Sequence, residues 1–237
     1  MAGFWQGTGA VCVYFIVLAS GLLTCRCLMK IPDELFRKLL HFVLLGSYIP
    51  FVFGFGVWWH AALLAVVLAA AIYPALAFFE RFRGFSELTT ERRQGELKRS
   101  LLLAFGVLAA SITICWGALG DRHMVLACVY AWGVGDTFAA LVGKQFGRHK
   151  IRWRLADGRK SWEGSGAMFL SSSATVLIIL LIRGGLSPAA CALIPLCGAA
   201  ATTLVEMITT GGNDTITCPA AAMLVILPLT ALMGGFR

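Results

Sequence analysis

The sequence predicts an all-α, polytopic membrane protein, a bundle of about eight transmembrane helices with its motif-bearing loops on the cytoplasmic side. Three observations predict it. The 237-residue chain is 59% hydrophobic and only 14% charged, against roughly 25% charged for a soluble domain. Its apolar residues come in helix-length runs, and a hydrocarbon layer about 30 Å thick takes ~20 residues of helix to cross. Its basic residues crowd into alternate loops. Backbone groups in lipid are satisfied only by helices or closed barrels, and runs of this length point to helices.

The spans fall at about 10–29, 39–58, 60–79, 101–119, 124–143, 164–182, 188–208 and 217–234. The first has no Lys or Arg before it and no small-residue cleavage pattern, so it reads as a retained helix and not a signal peptide. No repeat, low-complexity tract or soluble segment interrupts the pattern. Residues 1–237 are therefore expected to form a single integral membrane domain, with the motifs between about 31 and 225. Eight cysteines are scattered without a C-x-x-C pair, which suits small packing residues better than a metal or redox site.

Loop by loop, the charges test this topology. Arg26, Lys30, Arg37 and Lys38 lie between spans one and two. Arg81, Arg83, Arg92, Arg93, Lys98 and Arg99 follow span three, and Lys144, Arg148, Lys150, Arg152, Arg154, Arg159 and Lys160 follow span five. So 17 of the 20 basic residues gather on one face, leaving Arg122, Arg183 and Arg237 elsewhere. Positive-inside bias assigns the crowded face to the cytoplasm and puts both termini outside. The net charge of +8 follows the membrane and forms no soluble patch, so nucleic acid is not an expected partner.

Four clusters on that face carry chemistry. In Ile31–His41, Pro32 and the acids after it are helix-opening residues. Arg37 and His41 are four apart and share a helix face, suited either to anchoring or to meeting a phosphate. Residues 80–96 mix Glu, Arg and Phe as an interfacial amphipathic stretch does. The third cluster runs from Gly135-Asp136 through Gly143-Lys144 to Arg159-Lys160-Ser161-Trp162-Glu163-Gly164. Asp136 falls inside span five, where a carboxylate costs a few kcal/mol and needs a partner. The loop after it pairs glycines, which admit close backbone approach, with cations that suit polyphosphate. No Walker A loop occurs, so a soluble P-loop kinase is unsupported. The fourth cluster is Glu206 with Asn213-Asp214 before Pro219, a loop carrying acids and no Lys or Arg. Asn or Asp there can cap a helix; acids at three helix ends on one side can also hold a hard divalent cation.

The order of these motifs resembles that of the CTP-dependent lipid kinase family, which includes polyprenol, dolichol, phytol and farnesol kinases and CTP-dependent diacylglycerol kinases, with phosphatidate cytidylyltransferases as distant relations. The matching motifs are Arg37-Lys38-x-x-His41, Gly95-Glu96, Gly135-Asp136 with Gly143-Lys144, Lys160-Ser161-x-Glu163-Gly164-Ser165, and Glu206 followed by Asp214 and Pro219. The family's last motif usually reads Asp-Asn, whereas Thr215 follows Asp214 here. The long cytidylyltransferase signature is absent, which favours phosphoryl over cytidylyl transfer.

The resemblance implies transfer of the γ-phosphoryl group of CTP to the hydroxyl of a membrane isoprenoid alcohol, at a site facing the cytoplasm. It implies Mg²⁺ held by Asp136 and Asp214, with Glu206 as a third ligand or base. Lys160, Arg159 and Lys144 would neutralise phosphates, with Ser161 and Glu163 in the same motif. Gly135, Gly143 and Gly164 would admit the nucleotide. Arg37, Lys38 and His41 would meet phosphate or orient the lipid hydroxyl. The alternatives are a CTP-dependent diacylglycerol kinase, a phosphatidate cytidylyltransferase and, outside enzymes, a transporter. A transporter predicts acids spread through the membrane depth, but Asp136 is alone well inside a span.

Overall fold

The structure, a computed structural model, describes residues 2–29, 31–79, 96–152, 160–210 and 212–236. Among them, eight helices are long and apolar enough to cross a membrane, as expected. The seventh matches its expected bounds, Pro188–Ile208. Three others differ in ways that bear on function. The first span begins at Gly3 instead of residue 10, the second at Leu35 instead of 39, and the eighth at Asp214 instead of 217. Arg37 and Lys38 therefore fall inside the second span with His41, and Asp214 is the first residue of the eighth. Polar residues can open a membrane helix, and hydropathy alone trims them off.

The chain divides into two compact units, one reaching Thr113 and one starting at Ile114. The N-terminal unit holds α1 (Ala2–Leu28), α2 (Asp33–Gly46), α3 (Tyr48–Phe53), α4 (Trp58–Phe79) and α5 (Glu96–Ser111). The α2–α3 junction keeps helical dihedrals at Ser47, φ −63° and ψ −22°, so the two run on as one span. The interruption has a cause nearby: Pro50 has no N–H to offer the Gly46 carbonyl. Two tyrosines tie this unit together. The Tyr14 hydroxyl donates to the Val43 carbonyl at 2.7 Å, and that of Tyr48 to Ala104 at 3.2 Å. Phe51 meets Phe105 edge-on, with ring centroids 6.2 Å apart. Outward, α1 shows Trp5, Ile16 and Leu28, as a lipid-facing helix should.

The fourth span is not one regular helix. From Ile112 to Ala118 it widens into a π-helical segment, which ends with the Leu119 N–H donating to the Ile114 carbonyl at 3.3 Å. No proline marks this stretch, and its one glycine, Gly117, falls near its end.

The C-terminal unit is four helices: α6 (Arg122–Gln145), α7 (Trp162–Arg183), α8 (Pro188–Ile208) and α9 (Asp214–Leu232). Of the eight spans α6 is the most buried, and it packs on α7, α8 and α9. Three starts are capped in the expected chemistry, by Asp121, Ser161 and Ser187, the last with Pro188 at the first helical position. Connections join neighbouring ends, so the helices alternate in direction. The unit then has two ends, one with Lys160 and Asp214, the other with Asp121 and Arg183.

Small residues let these helices close up, since lipid gives helix association no hydrophobic drive of its own. A Cβ on Gly135 would stand 2.9 Å from Met168 Cγ and press on Ser172 Oγ. That Ser172 hydroxyl donates to the Ala131 carbonyl across the α6–α7 contact. A Cβ on Gly198 would be 2.6 Å from Ile226 Cγ1, between α8 and α9. We expect Gly135→Ala to cost about 1–3 kcal/mol by overpacking, read as a lowered thermal unfolding midpoint in detergent. Adding Ser172→Ala should recover part of that loss; a midpoint unchanged by Gly135→Ala would refute the contact.

Candidate functional site

At one end of the C-terminal unit, residues from all four helices converge. Lys160 immediately precedes α7, and the chain around it is fixed by backbone pairing. The Ile151 N–H donates to the Lys160 carbonyl at 2.9 Å and the Trp162 N–H to that of His149 at 3.0 Å. A β-bridge between Lys150 and Ser161 results, closing the base of the basic loop. Ser161 is extended (φ −131°, ψ 153°), and its hydroxyl accepts from the Gly164 N–H at 3.2 Å, which starts α7. Glu163 locks the same base from outside. Its carboxylate accepts the His149 backbone N–H at 3.1 Å and lies 2.6 Å from His149 Nδ1.

The glycines of this region serve packing. A Cβ on Gly164 would stand 2.9 Å from the Ala139 carbonyl oxygen and 3.3 Å from the Gly143 Cα. One on Gly143 would be 3.2 Å from Ser161 Oγ. With Gly135, they allow α6 and the start of α7 to touch backbone to backbone.

Lys160 extends from this base to the C-terminal end of α8. Its ammonium is 2.8 Å from Glu206 Oε1, donates to the Thr209 carbonyl at 2.9 Å, and donates also to the Glu206 carbonyl. An ammonium has three donors, and these three acceptors match them. The side chains of Lys160 and Glu206 are 18% and 10% exposed, so the pair is largely out of water. Cation at a helix C-terminus is also the favoured sign.

Two further carboxylates complete the cluster. Asp214, the first residue of α9, interacts with the Trp132 indole and feels the charges of Asp136 and Lys160. Glu206 in turn feels Asp136 and Asp214. Among the described residues, three acids thus lie within electrostatic reach of Lys160. Among the described residues no three His, Cys, Asp or Glu side chains are gathered closely enough to hold a metal unaided. Mg²⁺ does not need that. It keeps several waters and is commonly bound through one or two carboxylates plus substrate phosphates. Asp136 and Asp214 fit that mode; Glu206 is already the counter-ion of Lys160.

The remaining sequence-derived residues are placed as follows. Lys144 is exposed in the last turn of α6, and Ser161 is buried at its cap. Arg37, Lys38 and His41 lie on α2, in the N-terminal unit. Arg159 and Gly95 fall outside the described residues. Two neighbours of the cluster were not singled out from sequence. Trp132 is one turn before Asp136, and Cys218, which feels both Asp214 and Glu206, is one turn after Asp214. Helical i,i+4 spacing from each acid was the available signal. The Thr209 and Thr217 hydroxyls, 3.1 Å apart, pin the α8–α9 turn beneath them.

With this geometry in view, the chain was compared with known proteins. It is 28% identical over 226 residues to a Synechocystis protein named phytol kinase, covering 93% of this chain and 90% of that one. It is 28% identical over 163 residues to a Triticum aestivum protein named probable phytol kinase, chloroplastic, covering 67% of this chain and 52% of that protein. Both relatives carry the name phytol kinase, one of the kinds of protein that the order of motifs resembles. No protein-family model matches, and no solved structure matches.

The Lys160–Glu206 pair makes a direct test of the cluster. Lys160→Met leaves a carboxylate buried without its partner, and we expect a loss of about 3–5 kcal/mol. Glu206→Gln added to it should restore much of the stability in the same unfolding assay. Additive losses would show that the two side chains do not interact.

Proposed function

We propose that this chain is a lipid-alcohol kinase, transferring the γ-phosphoryl group of CTP to the hydroxyl of a membrane isoprenoid alcohol of the phytol type. The observation that carries the reading is the convergence of Asp136, Lys160, Glu206 and Asp214, far apart in sequence, at one end of four packed helices. Similarity to the two proteins named phytol kinases supports the acceptor class. The basic residues between α6 and α7 at the same end, by positive-inside bias, support its facing the cytoplasm, where nucleotide is found.

Phosphoryl transfer asks a protein mainly to position two oxygens in line and to neutralise charge. Mg²⁺ held by Asp136 and Asp214 would supply that neutralisation between the nucleotide phosphates. Lys160 would exchange its bond to Glu206 for a phosphate oxygen, which suits its flexible stem and point charge. That exchange releases the Glu206 carboxylate to accept the proton lost by the lipid hydroxyl as its oxygen attacks the γ-phosphorus and CDP leaves. The acceptor's apolar chain stays in lipid, and only its hydroxyl need reach the helix ends. Arg37, Lys38 and His41 on α2 are further phosphate-binding candidates.

The deciding assay uses purified protein with γ-labelled CTP or ATP and a panel of phytol, farnesol, a longer polyprenol and diacylglycerol. Label is expected to pass from CTP into the isoprenoid alcohols. Label entering none of them sinks the reading, and entry of α-label instead identifies cytidylyl transfer. Asp136→Asn should lower kcat at least ~10²-fold, the scale of losing one transition-state electrostatic partner, with its unfolding midpoint near that of the parent.

A further inference from the structure

The base of the basic loop carries a residue that no motif marks. His149 lies just beyond the end of α6 at Gln145, and it makes three contacts across to the start of α7. Its carbonyl accepts the Trp162 N–H at 3.0 Å, its backbone N–H donates to the Glu163 carboxylate at 3.1 Å, and its ring Nδ1 lies 2.6 Å from the same carboxylate. We propose that His149, acting through Glu163, is a positioning residue for Lys160, fixing the backbone from which the lysine ammonium reaches a phosphate. What Lys160 does there rests on the lipid-kinase reading; how it is held rests on the loop geometry alone.

Lys160 is held at two points by different groups. Its ammonium is bound at the end of α8 by Glu206 and the Thr209 carbonyl. Its backbone is bound in the loop base, where its carbonyl accepts the N–H of the buried Ile151 at 2.9 Å. In the proposed reaction the ammonium leaves Glu206 for phosphate. The backbone anchor then does most to limit where the charge can go, because a lysine stem is flexible. A misplacement of about 1 Å in a positioning group can cost up to ~10²-fold in rate.

That anchor is slight by itself. The Lys150–Ser161 bridge is isolated, and a short two-stranded pair is marginal in water. The two bonds from His149 to a carboxylate are of the charge-assisted, stronger kind. Gly147 brings the same segment in close: a Cβ there would stand 2.6 Å from Ser161 Oγ and press on the Gly143 carbonyl. The His149 side chain, in contrast, is 79% exposed, so its ring fills no core space and its contribution is the bond to Glu163.

The chemistry of the pair is suited to a permanent hold. A carboxylate only accepts, so Nδ1 carries the proton, and the bond persists whether the ring is neutral or charged. A carboxylate also repels phosphate. The place of Glu163 beside Lys160 in a phosphate-binding motif is explained by its grip on His149, with no direct contact to nucleotide needed.

The test uses the full chain in detergent, with γ-labelled CTP and the alcohol that the parent accepts. His149→Leu is expected to lower kcat/KM for CTP roughly three- to tenfold, the scale of losing one charge-assisted hydrogen bond. His149→Asn, whose amide N–H stands where Nδ1–H does, should recover most of that loss, whereas His149→Gln, whose amide reaches the Nε2 position, should not. Glu163→Leu should match His149→Leu, and the double variant should be no worse than either. Losses that multiply in the double variant, or a His149→Leu protein as active as the parent, overturn the proposal. Amide hydrogen exchange at Ile151 and Trp162 reads the hold without turnover: it should quicken in His149→Leu and return in His149→Asn, and unchanged exchange in His149→Leu also overturns the proposal. A parent that phosphorylates no alcohol sinks the kinase reading instead, and exchange alone then decides whether His149 holds the loop base.

Discussion

Lys160 is bound to three acceptors at the end of one helix, and much of the C-terminal unit is arranged around that attachment. An ammonium this far from water has to bring its solvation with it. Here the Glu206 carboxylate and the carbonyls of Glu206 and Thr209 supply it. The bond fixes the end of α8 against the start of α7. It thereby sets where Asp214 enters, because the turn from Thr209 to Asp214 is short and its hydroxyls are paired. Arg183 plays the same part at the other end, joining the start of α6 to the ends of α7 and α9 through Asp121 and two glycine carbonyls. Each end of the unit is thus closed by one cation with three acceptors, which match the three donors of Lys160 and engage each nitrogen of Arg183.

Between these ends the packing rests on small residues. Gly135, Gly164 and Gly198 sit where a single methyl group would collide with a neighbouring helix. The closeness has a functional result. It brings the carboxylates of α6 and α9 within electrostatic reach of each other and of Lys160. Like charges at that range raise each other's energy.

Much of this was legible in the chain. Helix number followed from hydropathy, and the order of acids and cations marked Asp136, Lys160, Glu206 and Asp214 as candidates. The glycines were legible as special positions, but the packing they serve was not, because close backbone approach looks the same in sequence whether a helix or a ligand is the neighbour. Glu163 shows the same ambiguity. It was grouped with phosphate-binding residues by its motif, and it closes the base of a loop by holding His149. Trp132 reads as one more apolar residue in the sequence, although it lies one turn before Asp136 on α6.

The sequence by itself determined that the chain crosses the membrane about eight times and which loops carry the charge. Both are properties of residues transferred one by one between water and lipid, and they add along the chain. Partner choice was decided only by the tertiary structure. Glu206 could have faced a metal or a lysine, Arg183 could have been an anchor or a clamp, and the fourth span could have stayed a regular helix. Those outcomes depend on which helices touch and at what depth, and contacts between residues 46 or 62 positions apart leave no trace in local pattern.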